Sequence, residues 1–208
     1  MASFITLEGG EGAGKSTQAA LLADALVELG LPVLRTREPG GAPGAETLRG
    51  LLLGGGVAWS PLAETLLHFA ARAEHVAKTI RPALDAGMWV VCDRFYDSTV
   101  AYQGYGQGAD RGVIATLTGI LGIVPDVTLM LDVSDAVAAA RRVLRAGDAD
   151  RYERLDPAFH ARVRQGFRDI AAAAPARCLL IAADGPAEAV HVAIMRALRE
   201  RLPSLKSA

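Results

Sequence analysis

Short apolar runs alternate along this chain with longer stretches in which leucine and alanine return at helical spacing. Residues 3–7 read as a buried strand and 16–29 as the helix behind it. A second strand is predicted over 32–36, then a Pro/Gly-rich loop over 37–44 and a short helix over 45–53 that the glycines at 54–56 end. Ser60-Pro61 has the N-cap serine and first-turn proline of a helix start, and the pattern carries that helix to about residue 86. Apolar runs at 88–92, 127–131 and 178–181 predict three more strands, with helices over 110–121, 135–144, 157–174 and 186–202. Such alternation implies a parallel sheet covered on both faces, with right-handed crossovers and ligands at the carboxyl ends of the strands. The expected fold is therefore α/β, a three-layer α/β/α arrangement about a five-stranded parallel sheet. No repeat or linker divides the 208 residues, so a single domain is expected over 1–208. Residues 145–151 are weakly apolar and read as a mobile, arginine-bearing loop between two helices.

The turn between the first strand and the first helix reads Gly9-Gly10-Glu11-Gly12-Ala13-Gly14-Lys15-Ser16, which fits the P-loop pattern G-x-x-x-x-G-K-S/T. A glycine-rich turn in this position points consecutive backbone N–H groups into one concavity, and the helix N-terminus adds partial positive charge. Polyanionic phosphate suits such a site: Lys15 would reach the β- and γ-phosphates, and the Ser16 hydroxyl would ligate Mg²⁺. The lysine looks chosen, because Lys15, Lys78 and Lys206 are the only lysines against 19 arginines.

Composition narrows the partners. A net charge of −1 argues against a general nucleic-acid binder, and 51% hydrophobic with 22% charged residues is ordinary for a globular protein. Cys92 and Cys178 lie in or beside apolar runs and read as reduced core thiols. No apolar stretch approaches the roughly 20 residues of a spanning helix. The first strand begins without a charged and apolar leader pattern, so no membrane partner and a cytoplasmic location are expected.

Further chemistry gathers at strand ends. The third strand runs into Asp93-Arg94, a Walker B arrangement that places a carboxylate near Mg²⁺ or its water shell and a guanidinium fork toward phosphate. Asp132 ends the fourth strand as a competing carboxylate. Glu38 lies in Arg37-Glu38-Pro39-Gly40-Gly41, where residue type alone reads it as a solvated turn residue. Arg49, Arg72 and Arg94 together can receive a second anion opposite the P-loop. Thr99 and Gln103, four apart, share a face on a helical turn and can either read the edge of a base or simply cap the turn and face solvent. Arg141, Arg145, Arg151 and Arg154 are either a solvated face or a lid that brings an arginine onto a transferring phosphoryl group. A phosphate-ester acceptor needs no general base, only two anions held in line with water excluded. A hydroxyl acceptor would need a base, for which Asp93 is the candidate. An ATP-driven switch protein is the reading from a different class; a GTPase switch is excluded, since the chain has no asparagine for an Asn-Lys-x-Asp stretch.

Several stretches run in family order over nearly the whole chain: 8–17, Thr36-Arg37-Glu38-Pro39-Gly40-Gly41, Phe69-Ala70-Ala71-Arg72, Asp93-Arg94-Phe95, 98–104, Pro125-Asp126 leading into Leu131-Asp132-Val133, and Asp150-Arg151. In these the chain resembles the bacterial type of thymidylate kinase. The resemblance implies a P-loop nucleoside monophosphate kinase-like fold and transfer of the ATP γ-phosphate to thymidine monophosphate (dTMP), with Mg²⁺ and a homodimer. It implies that Gly9, Gly10, Glu11, Gly12, Ala13, Gly14, Lys15, Ser16 and Thr17 hold ATP, with Arg141 against the adenine. Glu38, Pro39, Arg49, Arg72, Arg94 and Ser98 would surround the acceptor, Thr99 and Gln103 would read thymine, and Tyr102 would lie by the sugar. The P-loop carries Glu11 and no arginine, so the catalytic arginine is expected from a lid at about 145–155, from Arg145, Arg151 or Arg154. Four residues before Arg72 the family usually has an aromatic that stacks on the base. Here His68 holds that position and Phe69 is the nearest aromatic, about 100° further round a helix.

Overall fold

A computed structural model describes residues 2–54, 56–144, 151–152 and 154–205. Its centre is a parallel sheet of β1 (Phe4–Glu8), β2 (Val33–Arg37), β3 (Trp89–Asp93), β4 (Val127–Asp132) and β5 (Cys178–Ala182), in the order β2-β3-β1-β4-β5. The order reverses beside β1, where Leu7 pairs with Asp93 on one side and Leu129 on the other. That is the switch point at which ligands enter such sheets. Strand alternation divides the core. Ile5 and Leu7 pack under α1 (Lys15–Glu28) and α9 (Ala187–Arg201), with Leu22, Leu26, Ile194 and Leu198. Phe4, Val90 and Cys92 face the other way, against Ile80, Phe95 and Ile114.

The expected strands and helices are all present, with ends moved by one or two residues. All five strands reach one residue further than expected, because ladder hydrogen bonds continue past the apolar runs, as at Glu8 and Asp93. α2 (Pro43–Leu53) starts two residues early, with Pro43 in its first turn. The helix expected over 60–86 is α3 (Pro61–His75), a π-helical turn (Val76–Ile80) and α4 (Arg81–Asp85). The π turn lies just ahead of Pro82, whose missing N–H removes one helical hydrogen bond in any case. α6 (Arg111–Leu121), α7 (Asp135–Leu144) and α8 (Pro157–Ala173) follow the expected pattern, with Asp110 and Asp156 as N-caps.

The chain between β3 and α6 is helical where the sequence pattern predicts only a turn: α5 (Tyr96–Thr99) runs into a π-helical segment, Val100–Gly106. Its β-branched, aromatic and glycine residues are poor helix formers. The helix stands because Glu8, at the end of β1, accepts the N–H of Phe95 at 2.7 Å and of Ser98 at 3.2 Å, satisfying first-turn donors from a distant strand.

Candidate active site

The P-loop closes tightly over the strand ends. Gly9 and Gly12 have φ of 142° and 77°, and a Cβ on either would lie 2.5 or 2.6 Å from the carbonyl oxygen of Leu131 or Ala138. Only glycine fits there. Gly14, also left-handed, caps α1, so Lys15 opens the helix and its Nζ lies back on the Gly10 carbonyl at 2.7 Å. Burial pulls the Lys15 ammonium down to about 8, with the Arg94 guanidinium adding to the effect.

Asp93 accepts the Ser16 hydroxyl on Oδ2 at 2.5 Å, while Oδ1 is buried with no partner among the described residues. Serine and carboxylate therefore stand together at the loop, as a phosphate-bound Mg²⁺ requires. Asp132, the competing carboxylate, is committed elsewhere: Arg164 donates to it at 3.0 Å and Arg168 at 2.7 Å. Arg94 follows Asp93 in the left-handed region (φ 70°), fixed by its N–H on the Leu7 carbonyl at 2.9 Å. Its guanidinium donates to Gly9 O at 3.2 Å, Ser98 Oγ at 3.1 Å and the Tyr102 hydroxyl at 3.2 Å, and forms an ion pair with Glu11. Glu11, rather than pointing at phosphate, clamps this arginine, and Tyr102 donates to the same carboxylate oxygen at 2.8 Å.

Across the cleft, α3 presents Arg72 with 2% exposure. Its Nε donates to Glu38 at 2.7 Å and Nη2 to Phe95 O at 3.1 Å and Thr99 Oγ1 at 3.2 Å; Nη1 is buried with no partner among the described residues. Glu38 is thus not the solvated turn residue its type suggests, because Arg72 and His75 cover it. Arg49 Nη1 donates to the Pro39 carbonyl at 2.7 Å, and the Glu38–Pro39 bond is cis.

Lys15, Ser16, Glu38, Arg72, Asp93 and Arg94 line one cavity of about 450 Å³, together with Thr17 and Arg141. Pro39, Arg49, His68, Arg72, Ser98, Thr99, Tyr102 and Gln103 line it as well. Arg141 donates to the carbonyls of Gly12 at 3.4 Å and Gly185 at 2.8 Å, beside the P-loop. His68 faces the cavity and Phe69 does not: Phe69 packs in the core with Phe4 and Phe95. Arg151 donates to Glu64 at 2.5 Å and is not among the lining residues, and Arg154 is exposed. Arg145 lies outside the described residues.

Three participants escaped the sequence reading. Glu64, fully buried on α3, and Tyr152 form a polar cluster with His68, Gln103 and Gln107. Glu8 fixes Phe95 and Ser98, and burial, with Asp97 nearby, pushes its carboxyl up to about 8. A signal for Glu64 was available: 64, 68 and 72 step by four, a polar stripe along one side of the helix.

Donor loop, carboxylate and two arginines, Arg94 at the loop and Arg72 on α3, in one cleft define a P-loop kinase whose acceptor is itself anionic, the nucleoside monophosphate kinase class. Comparison with known proteins is specific. The thymidylate kinase family model matches residues 7–194. A curated thymidylate kinase of Rhizorhabdus wittichii is 54% identical over 205 residues, covering 96% of this chain and 98% of that one. Another, of Gluconobacter oxydans, is 55% identical over 204 residues, covering 96% and 95%. The crystal structure of thymidylate kinase from Ehrlichia chaffeensis superposes with a TM-score of 0.79 at 38% identity, covering 95% of this chain and 98% of that one. The chain belongs to the thymidylate kinase family, which makes it an ATP-dependent nucleoside monophosphate kinase. No helix among the described residues is long and apolar enough to cross a membrane.

Proposed function

We propose that the protein transfers the ATP γ-phosphate to dTMP, giving dTDP and ADP, with the donor on the P-loop and the acceptor against α3 and the chain after β3. The observation that carries this placement is that one cavity joins Lys15 and Ser16 to Arg72 and Arg94. Residues 9–17 hold the triphosphate, and Arg141, beside the loop, stacks on adenine. Arg94 and Arg49 take the acceptor phosphate. Arg72, with its spare Nη1, reaches the base, Thr99 and Gln103 read its edge, and His68 supplies the ring against it. Ser98 and Tyr102 orient Arg94, and Tyr102 also borders the sugar. Glu38 and Pro39 hold Arg72 and Arg49 in place.

The acceptor oxygen is already anionic, so rate comes from alignment, charge neutralisation and exclusion of water. Mg²⁺ fits the site: Ser16 and Asp93, whose Oδ1 has no partner among the described residues, would hold it, directly or through water, and it would neutralise charge on the β- and γ-phosphates. The chain works as one domain with a lid at about 145–155, from which Arg145, Arg151 or Arg154 meets the transferring phosphoryl group. It acts in the cytoplasm, and as a homodimer; exposed Leu62 and Leu66, one turn apart on α3, and Leu51 on α2 support the dimer. ATP consumption measured against a panel of nucleoside monophosphates and nucleosides, with products identified, tests the assignment. Selective conversion of dTMP to dTDP is expected; phosphorylation of nucleosides instead would overturn it.

A further inference from the structure

Four donors converge on Glu64. Its Oε1 accepts Gln103 Nε2 at 2.9 Å, Gln107 Nε2 at 2.7 Å and the Tyr152 hydroxyl at 2.7 Å, and its Oε2 accepts Arg151 Nη2 at 2.5 Å. A carboxylate has about four lone-pair sites and nothing to donate. Paired with Arg151, Glu64 therefore sets the direction of every hydrogen bond around it. The Gln103 atom beside it has to be the amide nitrogen, which leaves the amide oxygen for whatever fills the cavity that Gln103 lines. Tyr152 gives its one proton to Glu64, so it is the acceptor toward Gln103 Nε2 at 3.1 Å and His68 Nε2 at 2.8 Å. His68 then carries its ring hydrogen on Nε2. Burial, reinforced by Arg72, Arg94 and Arg151, holds this ring neutral, with its protonation pushed down to about 3.

We infer that Glu64 is a positioning residue for acceptor selectivity: it locks the Gln103 amide so that an acceptor oxygen meets the base, favouring a pyrimidine with hydrogen on N3 over one whose N3 is bare. Thymine and uracil have that hydrogen; cytosine does not. The inference rests on the placement of the acceptor base at Gln103. Glu64 touches no substrate and acts through Gln103, while Tyr152 carries the same polarity to His68.

The test compares dTMP with deoxycytidine monophosphate (dCMP) as acceptors for the full chain, in the parent and in Glu64→Gln and Tyr152→Phe. Where dCMP turnover is too slow to measure, its Ki against dTMP replaces it. An amide at position 64 can donate, so Gln103 is released to turn over. Selectivity for dTMP in kcat/KM is expected to fall on the order of 10- to 100-fold, mainly through acceptor KM, with KM for ATP changed by less than about two-fold. Tyr152→Phe keeps the Glu64–Gln103 contact and removes one of its supports, so a smaller fall of about three-fold is expected. That variant decides the matter if Glu64→Gln fails to fold. A parent that phosphorylates neither nucleotide refutes the underlying placement. A parent that prefers dTMP, with variants that lose both acceptors in equal proportion, overturns this inference alone, since a merely structural Glu64 would lower both alike.

Discussion

Arg72 and Glu38 form an ion pair almost sealed from solvent, with side chains 2% and 3% exposed and Nε 2.7 Å from Oε2. The arginine lies over the Phe69 and Phe95 rings, at 4.9 and 5.4 Å from their centres. His75 Nδ1 takes the other carboxylate oxygen at 3.0 Å. The pair joins α3 to the loop after β2, and so fixes one wall of the cavity.

Removing one partner of a buried pair leaves the other charged without compensation. Glu38→Ala is accordingly expected to destabilise the protein by about 3–5 kcal/mol, far more than loss of a surface ion pair. Reversible urea unfolding measures this, and a loss below about 1 kcal/mol would mean that the pair is solvated in solution.

Lys15 is a cation held in a poorly solvated place for the sake of a ligand. Lys15→Met removes the charge and keeps the length, so the unliganded protein is expected to be at least as stable as the parent. Turnover is expected to fall by about 10²- to 10³-fold or more. Thermal unfolding and steady-state kinetics on one preparation check both halves; near-parental turnover in a folded variant removes the P-loop assignment.

The parts legible in the sequence are those whose chemistry is local. Residues 4–16 announce strand, turn, lysine, hydroxyl and helix within one short stretch, and Asp93-Arg94 ends an apolar run. The parts that were not legible depend on partners far along the chain. Glu38 reads as solvated because Arg72 and His75, which bury it, lie more than 30 residues away. The helical course of 96–106 is invisible to propensity because its first donors are met by Glu8. The choice between His68 and Phe69 needed helix phase: His68 is one turn from both Glu64 and Arg72, and Phe69 is turned into the core.

Arg94 combines an awkward backbone with a demanding side chain. At φ 70° glycine is unstrained and alanine is not, so Arg94→Gly is expected to be more stable than Arg94→Ala by about 1 kcal/mol, although both remove the same ion pair with Glu11. Both variants are expected to raise the KM for dTMP at least about 10-fold, and that for ATP by much less. Equal stability would show that the left-handed backbone relaxes in solution, and equal loss for both substrates would displace Arg94 from the acceptor site.

Glu8 gives the native protein a pH dependence of predictable sign. Its carboxyl rises from 4.5 to about 8, through burial first and then the charge of Asp97, against the opposing pull of Ser98, Arg94 and the Phe95 N–H. Its charge also bears on Lys15, Tyr96, Cys92 and Cys178. Between about pH 4.5 and 8 the unfolded chain has released a proton that the folded protein keeps. The contribution of Glu8 to stability is therefore full below about pH 4.5 and is lost as pH rises through about 8. Glu8→Gln preserves an oxygen for the Phe95 and Ser98 donors and cannot titrate. It is expected to fold, and to lose less stability than the parent between pH 5 and pH 8, measured as the shift in urea midpoint over that interval. Parallel pH profiles for the two proteins would show that Glu8 is ionised in the native state throughout, held so by Arg94 and Lys15 in spite of its burial.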